Sequence, residues 1–463
     1  MHYAKHTVER HSMLRRKITD RLESWAESPA KALLLLGARQ VGKSTVIADL
    51  GRRRFAAYVE INLYENKAAR EALLGARDLA DFLNRVSVFA ESPLVRNDTL
   101  VFIDEVQEAP DVMTWVKFLV QDGRYSYAFS GSMLGADFKG IRSYPVGFVE
   151  ELAMRPMDFE EFCWAIGVSD IALGAARASF KTRRPVESYI HEALLTDFRA
   201  YTVVGGMPEV VQRYVSDGNS LEQVRALQTD LNTQYRHDIA KYAGSRALQV
   251  REIYDQIPVQ LEDEGNFTVT SLGKSARYAN RDRDFLWLTS AGVSVKVDQV
   301  SEPKSPLKRT DRESVFKLYQ SDTGMLVSRY PQSLARAIYL DYRQPNLGGI
   351  YENVVAQELA AHGIKPYYYL DKKRAEVDFL CEVDGHALPV EVKSGRKFRS
   401  HASLDRLLES DEYRIQRGFV LCRSNVETAG KVVYLPWYMT MFVQGDEPHE
   451  SDSAGFVMQP AVV

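Results

Sequence analysis

The segment LLLLGARQVGKST, residues 33–45, constrains this chain more than any other stretch. Its run of leucines predicts a short, fully buried strand, and the residues that follow match the pattern G-x-x-x-x-G-K-[ST]. Glycine at both ends lets the backbone turn so that successive N–H groups point inward and hold a polyphosphate at the start of the next helix. A chance glycine-rich turn is the alternative, but the preceding strand and the helix-forming VIADL afterwards favour a phosphate loop.

This loop carries the first set of predicted ligand contacts. Lys43 is expected to reach the β- and γ-phosphates of a nucleoside triphosphate, and the Ser44 hydroxyl is expected to bind Mg²⁺. The predicted nucleotide-binding residues of the loop are Gly37, Ala38, Arg39, Gln40, Val41, Gly42, Lys43, Ser44 and Thr45.

A second motif, TLVFIDEVQEAP at residues 99–110, reads as an apolar strand that ends in two acids. The carboxyl edge of a parallel sheet is where such folds present residues to a ligand. Asp104 fits the carboxylate that holds Mg²⁺ through water, and Glu105 fits the base that orients an attacking water. The next strand, YSYAFSGS at residues 125–132, closes on hydroxyls. Ser130 or Ser132 is therefore predicted to sense the terminal phosphate, with a plain strand end as the alternative.

Bulk composition limits the classes of partner and compartment. The chain has 463 residues, 45% of them apolar, which predicts about three or four folded domains. Its 59 basic and 62 acidic residues give a net charge of −3, so a nucleic acid would have to meet a local basic patch. Three cysteines without metal-ligand spacing argue against disulfides and structural zinc. No signal peptide or membrane-length apolar run is found, so a cytoplasmic protein is expected.

The helical and strand patterns around these motifs predict further elements. Residues 12–26 read as an amphipathic helix with Arg15 or Arg16 near the nucleotide, or as a solvated basic face. Residues 160–250 read as helices broken at Gly205-Gly206-Met207-Pro208, which predicts a lid over the nucleotide. Arg236 in this lid is a candidate second sensor or intersubunit contact, with a solvated charge pair as the favoured alternative.

From residue 250 to 330 the pattern changes to short helices and two strands, VSVKVDQV and VFKLYQSD. A helix at residues 281–287 and a basic loop between the strands would suit a winged helix on DNA, although nearby acids dilute the charge. A solvated loop used for protein contacts is the alternative. The basic residues of the loop are Lys304, Lys308, Arg309 and Arg312.

The C-terminal segment AEVDFLCEVDGHALPVEVKSG, residues 375–395, predicts a hairpin with a two-residue turn at Asp384-Gly385. That turn pairs Val383 with His386 and, further along, Asp378 with Glu391. Residues two apart share a face. The predicted charged face holds Glu376, Asp378, Glu391 and Lys393, and the apolar face holds Val377, Phe379, Cys381, Leu388, Val390 and Val392.

Two opposed carboxylates repel unless a cation lies between them. This arrangement resembles the PD-(D/E)xK nuclease core, which implies that Asp378 and Glu391 hold a metal, that Lys393 helps to activate water and that Glu352 is an additional acidic ligand. Oxygen ligands suit Mg²⁺ or Mn²⁺. A salt-bridged hairpin in a degenerate nuclease fold is the alternative. Predicted phosphate contacts nearby are Lys372, Lys373, Arg374, Lys397 and Arg399.

Together with GGMPEVVQRY, FKLYQSDTGML and IYENVVAQELAAHG, these motifs are similar to those of prokaryotic AAA-type ATPases that carry a C-terminal domain of unknown function. The resemblance implies ATP as ligand, an AAA+ core, a winged-helix region, a nuclease-like end and a ring, hexameric by analogy. Such proteins often carry a basic residue after SxPVG, where this chain has Phe148. A trans-acting arginine finger would then have moved to Arg142 or Arg155, or been lost.

The predicted fold class is therefore α/β, with a P-loop AAA+ core at residues 1–160 and a helical lid at 161–249. A winged-helix domain is predicted at 250–345, a restriction-endonuclease-type α/β domain at 346–445, and a flexible acidic tail at 446–463. The predicted activity is Mg²⁺-dependent ATP hydrolysis coupled to a DNA-directed C-terminal module. An ATP-switched interaction scaffold, or a DNA remodeller without cleavage, is the alternative.

Overall fold

The leucine strand lies in a wholly parallel, five-stranded sheet of order β2-β3-β4-β1-β5. The computed structural model describes residues 13–132, 145–218, 220–262, 267, 269–272, 278–342, 347–370 and 376–445. The strands are β1 Ala32–Gly37, β2 Ala57–Asn62, β3 Thr99–Asp104, β4 Ser126–Ser132 and β5 Val149–Met154. The predicted strands of the core are thus confirmed, and the α/β class with them.

Helices cover both faces of this sheet, which is why its central strands are apolar on both sides. Leu33 and Leu35 pack into one core cluster, whereas Leu34 packs into the other. The helices of this region are α1 Ile18–Glu27, α2 Lys43–Arg54, α3 Lys67–Leu74, α4 Leu79–Val88 and α5 Val116–Asp122.

The first helix begins later than predicted. The expected start at Ser12 lies outside the described residues, and α1 begins at Ile18, so Arg15 and Arg16 precede it. The Lys17 backbone N–H donates to the Glu161 side chain at 2.6 Å instead of to a helical carbonyl. This tertiary contact sets the N-terminal limit of α1. The spacing of apolar residues in the sequence could not indicate it.

Helices form the middle of the chain, as predicted. They are α6 Phe159–Ala165, α7 Asp170–Thr182, α8 Ser188–Val204, α9 Pro208–Ser216, α10 Leu221–Tyr242 and α11 Ala247–Glu262. The predicted break lies between α8 and α9, where Gly205 has φ 78°. A Cβ at Gly206 would lie 1.9 Å from the Met157 carbonyl oxygen, so glycine is needed for close packing against the core.

An eight-stranded mixed sheet of order β12-β13-β11-β10-β9-β8-β6-β7 forms the rest of the chain. Its strands are β6 Ser294–Val300, β7 Asp311–Gln320, β8 Tyr367–Leu370, β9 Glu376–Val383, β10 His386–Val392, β11 Gly418–Cys422, β12 Glu427–Ala429 and β13 Val432–Pro436. Its helices are α12 Asp282–Ser290, α13 Thr323–Val327, α14 Gln332–Tyr339, α15 Gly348–Ala361 and α16 Ala402–Glu409. Since β6 pairs with β8, the two strands predicted for a winged helix extend the same sheet as the strands of the C-terminal segment. The predicted boundary at residues 345–346 therefore crosses one sheet.

The predicted hairpin between β9 and β10 is confirmed as far as the pair Val390–Phe379. Asp384 and Gly385 both have positive φ, as a two-residue hairpin turn requires. The prediction of one apolar face is wrong at Val377, which packs with Leu380 in a different core cluster from Phe379. An irregularity in the pairing of β8 with β9 between Tyr367 and Tyr369 interrupts the alternation there.

The last predicted strand is also too long. It was expected to continue to Val443, but β13 ends at Pro436 and a 3₁₀ helix follows at Trp437–Phe442. All the side chains of this helix are buried, so its sequence lacks the alternation that would separate a helix from a buried strand. Within the described residues, no helix has the length and apolar character that a membrane span requires.

Candidate nucleotide site and C-terminal carboxylate cluster

The phosphate loop connects the end of β1 to the start of α2. Gly42 has φ 97° and Gln40 has φ 63°, so the backbone turns sharply before α2 begins at Lys43. When residues in the left-handed conformation come just before the N-terminus of a helix, the backbone N–H groups of the turn point to one place. The geometry is that of an anion cradle.

Lys43 lies inside this cradle with 5% of its surface exposed. Its ammonium donates to the carbonyl oxygens of Gly37 and Ala38 at 3.1 and 2.9 Å. Burial lowers the pKa of Lys43, and the nearby charges of Glu105 and Asp104 oppose this effect only in part. A buried ammonium held by neutral acceptors therefore favours an anionic ligand.

Asp104 connects the phosphate loop to the neighbouring strands. It lies at the end of β3 and is 2% exposed. The Ser44 hydroxyl donates to one carboxylate oxygen at 2.8 Å, and the Ser130 hydroxyl at the edge of β4 donates to the other. Asn62 at the end of β2 donates at 3.3 Å. A hydroxyl and a carboxylate in direct contact form an oxygen donor set that suits Mg²⁺.

Glu105 has φ 56°, an uncommon value for a residue with a side chain and one that places it at the turn after β3. The Gln107 amide donates to its carboxylate, and the Gln107 side-chain oxygen accepts from the Ser132 N–H at 3.3 Å. The Ser132 hydroxyl is buried and has no hydrogen-bond partner within the described part of the chain. Glu105, Gln107 and Ser132 thus lie together at the carboxyl edge of the sheet.

Helix α10 covers the loop through contacts that local sequence patterns do not predict. The Arg39 guanidinium lies 2.6 Å from Asp238, the Tyr235 hydroxyl donates to the Arg39 carbonyl at 3.1 Å, and Gln40 donates to Gln234 at 2.8 Å. Tyr235 and Asp238 are three residues apart and share a helix face. That spacing was the available signal. It gave no indication of which distant segment the face contacts.

Among the described residues, no candidate for the arginine finger or second sensor contacts the phosphate loop. Arg142 lies outside the described residues. Arg155 follows β5 and lines a separate cleft that contains Asp298, and burial lowers the pKa of Arg155. Phe148 packs against the second core cluster. Arg236 pairs with Asp255 on α11 at 2.8 Å, with both side chains about two-fifths exposed.

Arg16 is the predicted N-terminal arginine that contacts the loop. Its guanidinium donates to the Val41 carbonyl at 2.8 Å and to Glu161 on α6 at 3.1 Å. Arg15 instead lies over the Trp164 ring at 4.0 Å. Arg16 therefore fixes the backbone of the phosphate loop from behind, whereas no contact of Arg15 with the loop is observed.

The C-terminal carboxylates surround a lysine that was not among the predicted site residues. Lys317 on β7 is 3% exposed, and its ammonium lies 2.7 Å from Glu376, 3.2 Å from Glu352 and 4.0 Å from Asp378. Burial alone would lower its pKa, but Glu352 and the neighbouring carboxylates raise the pKa of Lys317 well above its ordinary value. The signal for this residue was a single lysine in the otherwise apolar run VFKLY.

The remaining predicted residues lie beside this cluster. Asp378 accepts from the Val392 N–H at 2.8 Å, and Lys393 donates to Glu391 at 2.6 Å. The second oxygen of Glu391 is buried without a partner in the described part of the chain. Burial raises the pKa of Asp378 and of Glu391, and further negative charge from Glu352 adds to this effect.

These residues do not form the three-carboxylate set that the sequence predicts for a metal. Within the described residues, no group of three or more His, Cys, Asp and Glu side chains converges as metal ligands would. Glu352 and Glu376 both face the Lys317 ammonium, which supplies positive charge where a metal was expected. Among the four carboxylates of this cluster, Glu391 alone retains a buried oxygen without a partner in the described part of the chain.

The basic residues predicted to contact nucleic acid are partly neutralised. Lys304 pairs with Glu412 at 3.0 Å, and Arg309 pairs with Glu302 at 3.4 Å. Arg399 pairs with Glu427 at 2.6 Å. Residues 372–374 lie outside the described part of the chain.

Comparison with known families agrees with the geometry of the first site. A family model described as an AAA domain matches residues 29–163, and two models described as domains of unknown function, DUF8612 and DUF4143, match residues 195–333 and 347–438. No match is found among curated proteins.

Three solved structures are among the matches, each with a TM-score below 0.5. The Walker-type ATPase PABY2304 of Pyrococcus abyssi is 16% identical with a TM-score of 0.43, and the match covers 69% of this chain and 97% of that one. The Aeropyrum pernix ORC1 protein in complex with DNA is 14% identical with a TM-score of 0.30, covering 72% and 95%. A structure describing katanin self-assembly is 15% identical with a TM-score of 0.21, covering 32% and 49%. At these values the similarity supports no inference about fold or activity.

The phosphate loop, the acidic end of β3 and the parallel sheet all lie within the matched residues. Residues 29–163 of this chain therefore form a P-loop ATPase domain of the AAA type.

Proposed function

We propose that the protein binds and hydrolyses ATP with Mg²⁺ and that nucleotide state controls a DNA-directed C-terminal module. The observation that carries the first part is the meeting of Lys43, Ser44 and Asp104 at one sheet edge, with Ser130 on the adjacent strand. Lys43 is buried, and no carboxylate of the described residues contacts its ammonium directly, while the Ser44–Asp104 pair presents oxygen donors. Both features suit a triphosphate with its metal.

In this mechanism the loop amides and Lys43 bind the phosphates, while Ser44 and Asp104 hold Mg²⁺. When bound, Mg²⁺ neutralises negative charge on the terminal phosphates. Glu105 orients the attacking water and accepts its proton, and Gln107 holds the Glu105 carboxylate in place. The Ser130 hydroxyl positions the Asp104 carboxylate, and Arg16 holds the loop backbone in place through its hydrogen bond to the Val41 carbonyl.

Binding of ATP tests this assignment. Isothermal titration with Mg²⁺·ATP is expected to show a clear affinity for the wild type that Lys43→Ala reduces by at least tenfold. Lys67→Ala is the matched control, because Lys67 is exposed on the next helix. Equal affinity of all three proteins would refute the role of the loop.

Helix α15 supports the coupling part of the proposal, since it carries residues of both regions. Glu352 near its start contacts Lys317 in the C-terminal cluster. Glu358 accepts from the Phe159 N–H at 2.9 Å and from the Tyr201 hydroxyl at 2.8 Å, next to the core domain. A shift of α6 or α8 with nucleotide state would therefore move Glu352.

DNA cleavage is the proposed output, with Asp378 and Lys393 as the residues to test. Wild type, Asp378→Ala and Lys393→Ala are compared on single- and double-stranded DNA with Mg²⁺ or Mn²⁺. Loss of nicking in both variants supports cleavage, and equal nicking by all three proteins refutes it.

An ATP-switched scaffold with an inactive nuclease-like domain is the second candidate function. The observation that favours it is the Lys317 ammonium, which already neutralises Glu352 and Glu376. On this alternative, ATP changes partner or DNA binding and no cleavage occurs with either metal. A homo-oligomeric ring and a cytoplasmic location remain part of the proposal, and size-exclusion chromatography with light scattering, with and without ATP, tests the ring.

A further inference from the structure

A basic cleft of about 1020 Å³ lies beside the C-terminal sheet, and the described residues that line it include none from the phosphate loop or the carboxylate cluster. It is bounded by α7, the turn between β9 and β10, and residues 413–417 before β11. Among the described residues that line it, Asp384 is the one acidic side chain. The cationic lining residues are Arg177, Lys181, Arg183, Lys304, Arg414 and Arg417.

Most of this positive charge has no counter-charge among the described residues. Arg177 pairs with Glu160, and Lys304 pairs with Glu412. Across the described parts of the chain, the other four cations have no carboxylate within ion-pair distance. Like charges gathered in a cleft without counter-charges raise the local concentration of anions. In a chain of net charge −3, such an excess is local and specific.

Arg183 gives the second, independent indication of an anionic ligand. It ends α7 in a left-handed conformation, and its guanidinium stacks 4.5 Å from Phe180 and 5.1 Å from Phe419. Its Nη1 atom is buried and has no hydrogen-bond partner among the described residues. Burial and the nearby charge of Arg417 both lower the pKa of Arg183. A buried donor left unpaired is costly, and an oxyanion would satisfy it.

Aromatic rings line the same cleft. Phe180 lies 5.7 Å from Phe442, and Tyr413 lies beneath the Lys304 ammonium at 5.3 Å. Alternating aromatic and guanidinium groups in a concave groove bind single strands, whose bases are free to stack while their phosphates meet arginine. A duplex hides its bases, and an acidic peptide has none. The volume is at the upper end for small-molecule pockets, which favours several linked units.

We propose that the basic cleft binds single-stranded nucleic acid, with phosphates at Arg183 and Arg417 and bases against Phe180 and Tyr413. The inference deepens the DNA-directed part of the proposed function and rests on it. The turn at Asp384 that lines the cleft is joined to Asp378 by β9, about 20 Å away at the rise of a strand. A strand held in the cleft therefore lies within a few nucleotides of the carboxylate cluster.

Fluorescence anisotropy with a labelled 15-nucleotide oligothymidine, without ATP, tests the proposal on the full-length protein. Arg183→Ala and Arg417→Ala are each expected to weaken binding at least tenfold. Each should also lower the slope of log binding constant against log salt concentration by about one, the value for one phosphate contact. Arg184→Ala is the matched control, since Arg184 is the exposed neighbour of Arg183 outside the cleft lining. Phe180→Leu is expected to weaken binding while leaving the salt dependence unchanged.

Three results would overturn the assignment: no binding of oligothymidine by the wild type, equal binding by Arg183→Ala and the control, or equal affinity for duplex DNA or polyglutamate. Duplex or polyglutamate binding would assign the cleft to a different class of partner. The result is separable from the ATPase proposal, because Lys43→Ala is expected to keep oligothymidine binding without nucleotide. If ATP binding fails but oligothymidine binding depends on Arg183, the cleft stands and the ATPase assignment falls.

Discussion

Replacing Lys317 by methionine tests whether its ammonium neutralises the C-terminal carboxylates. Methionine keeps the length and most of the apolar volume of lysine, so the change chiefly removes charge. Three carboxylates lie 2.7–4.0 Å from the ammonium, which is 3% exposed. Removing one partner of a buried ionic cluster leaves uncompensated charge and costs about 3–5 kcal/mol. Urea unfolding at pH 8, followed by circular dichroism and tryptophan fluorescence, measures this loss.

The pH dependence gives an internal check of this prediction. The pKa of Asp378 and of Glu391 is already raised in the folded protein, and loss of the ammonium raises both further. A carboxyl group with a raised folded pKa contributes stability that is present at low pH and lost as pH rises through that pKa. The cost of Lys317→Met should therefore be smaller at pH 5 than at pH 8.

Lys365→Met is the matched control for this experiment. Lys365 also has two carboxylate neighbours, Asp298 at 3.3 Å and Asp311 at 3.6 Å, but its side chain is 51% exposed. The two aspartates are buried, but solvent screens the half-exposed ammonium and Asp298 keeps Lys296 at 2.6 Å, so removing Lys365 should cost less than removing Lys317. If Lys317→Met costs no more than the control, or costs more at pH 5 than at pH 8, the reasoning about the cluster is refuted.

Three further predictions concern the core domain and its contacts. Burial raises the pKa of Glu358 to about 7. The wild-type protein therefore loses unfolding free energy as pH rises from 5 to 8, because the buried carboxyl group has to ionise. Glu358→Gln should make this loss smaller by about 2 kcal/mol, as measured by urea unfolding. A larger pH dependence in the variant would contradict this. Gly206→Ala should destabilise the protein by about 1–3 kcal/mol, since its Cβ would lie 1.9 Å from the Met157 carbonyl oxygen, whereas Gly174→Ala on α7, with nothing within 4 Å, should be neutral or stabilising in the same assay. Equal effects would refute the packing argument. Ser130→Ala should lower the ATP turnover rate about tenfold, because Asp104 loses a donor from β4, and unchanged turnover would exclude this positioning role.

Local patterns were sufficient to predict the parts of the fold and site that local physics determines. The leucine run, the glycine spacing and the strand that ends at Asp104 each specify their own backbone conformation. Parallel strands then bring Asp104 and Ser130 to one edge without further information. The hairpin at Asp384-Gly385 was predictable for the same reason, since a two-residue turn fixes the register near it.

Contacts between distant segments were not predictable in this way. Lys317 reaches Glu376 because β6 pairs in parallel with β8, a pairing for which the sequence gives no local signal. Arg39 meets Asp238, which lies 199 residues away. The irregular pairing with β8 shifts the register of β9 between Val377 and Leu380, so the alternation rule fails where the neighbouring strand intervenes.

The most direct test of the central claim is the turnover of ATP by Glu105→Gln in saturating Mg²⁺·ATP, measured alongside ATP affinity. Glutamine keeps the shape of Glu105 but cannot accept a proton, so the rate should fall about 10²–10⁴-fold while affinity stays within a few fold of wild type. Turnover equal to that of the wild type, or a loss of affinity that matches the loss of rate, would contradict the assignment of Glu105 as the residue that activates water.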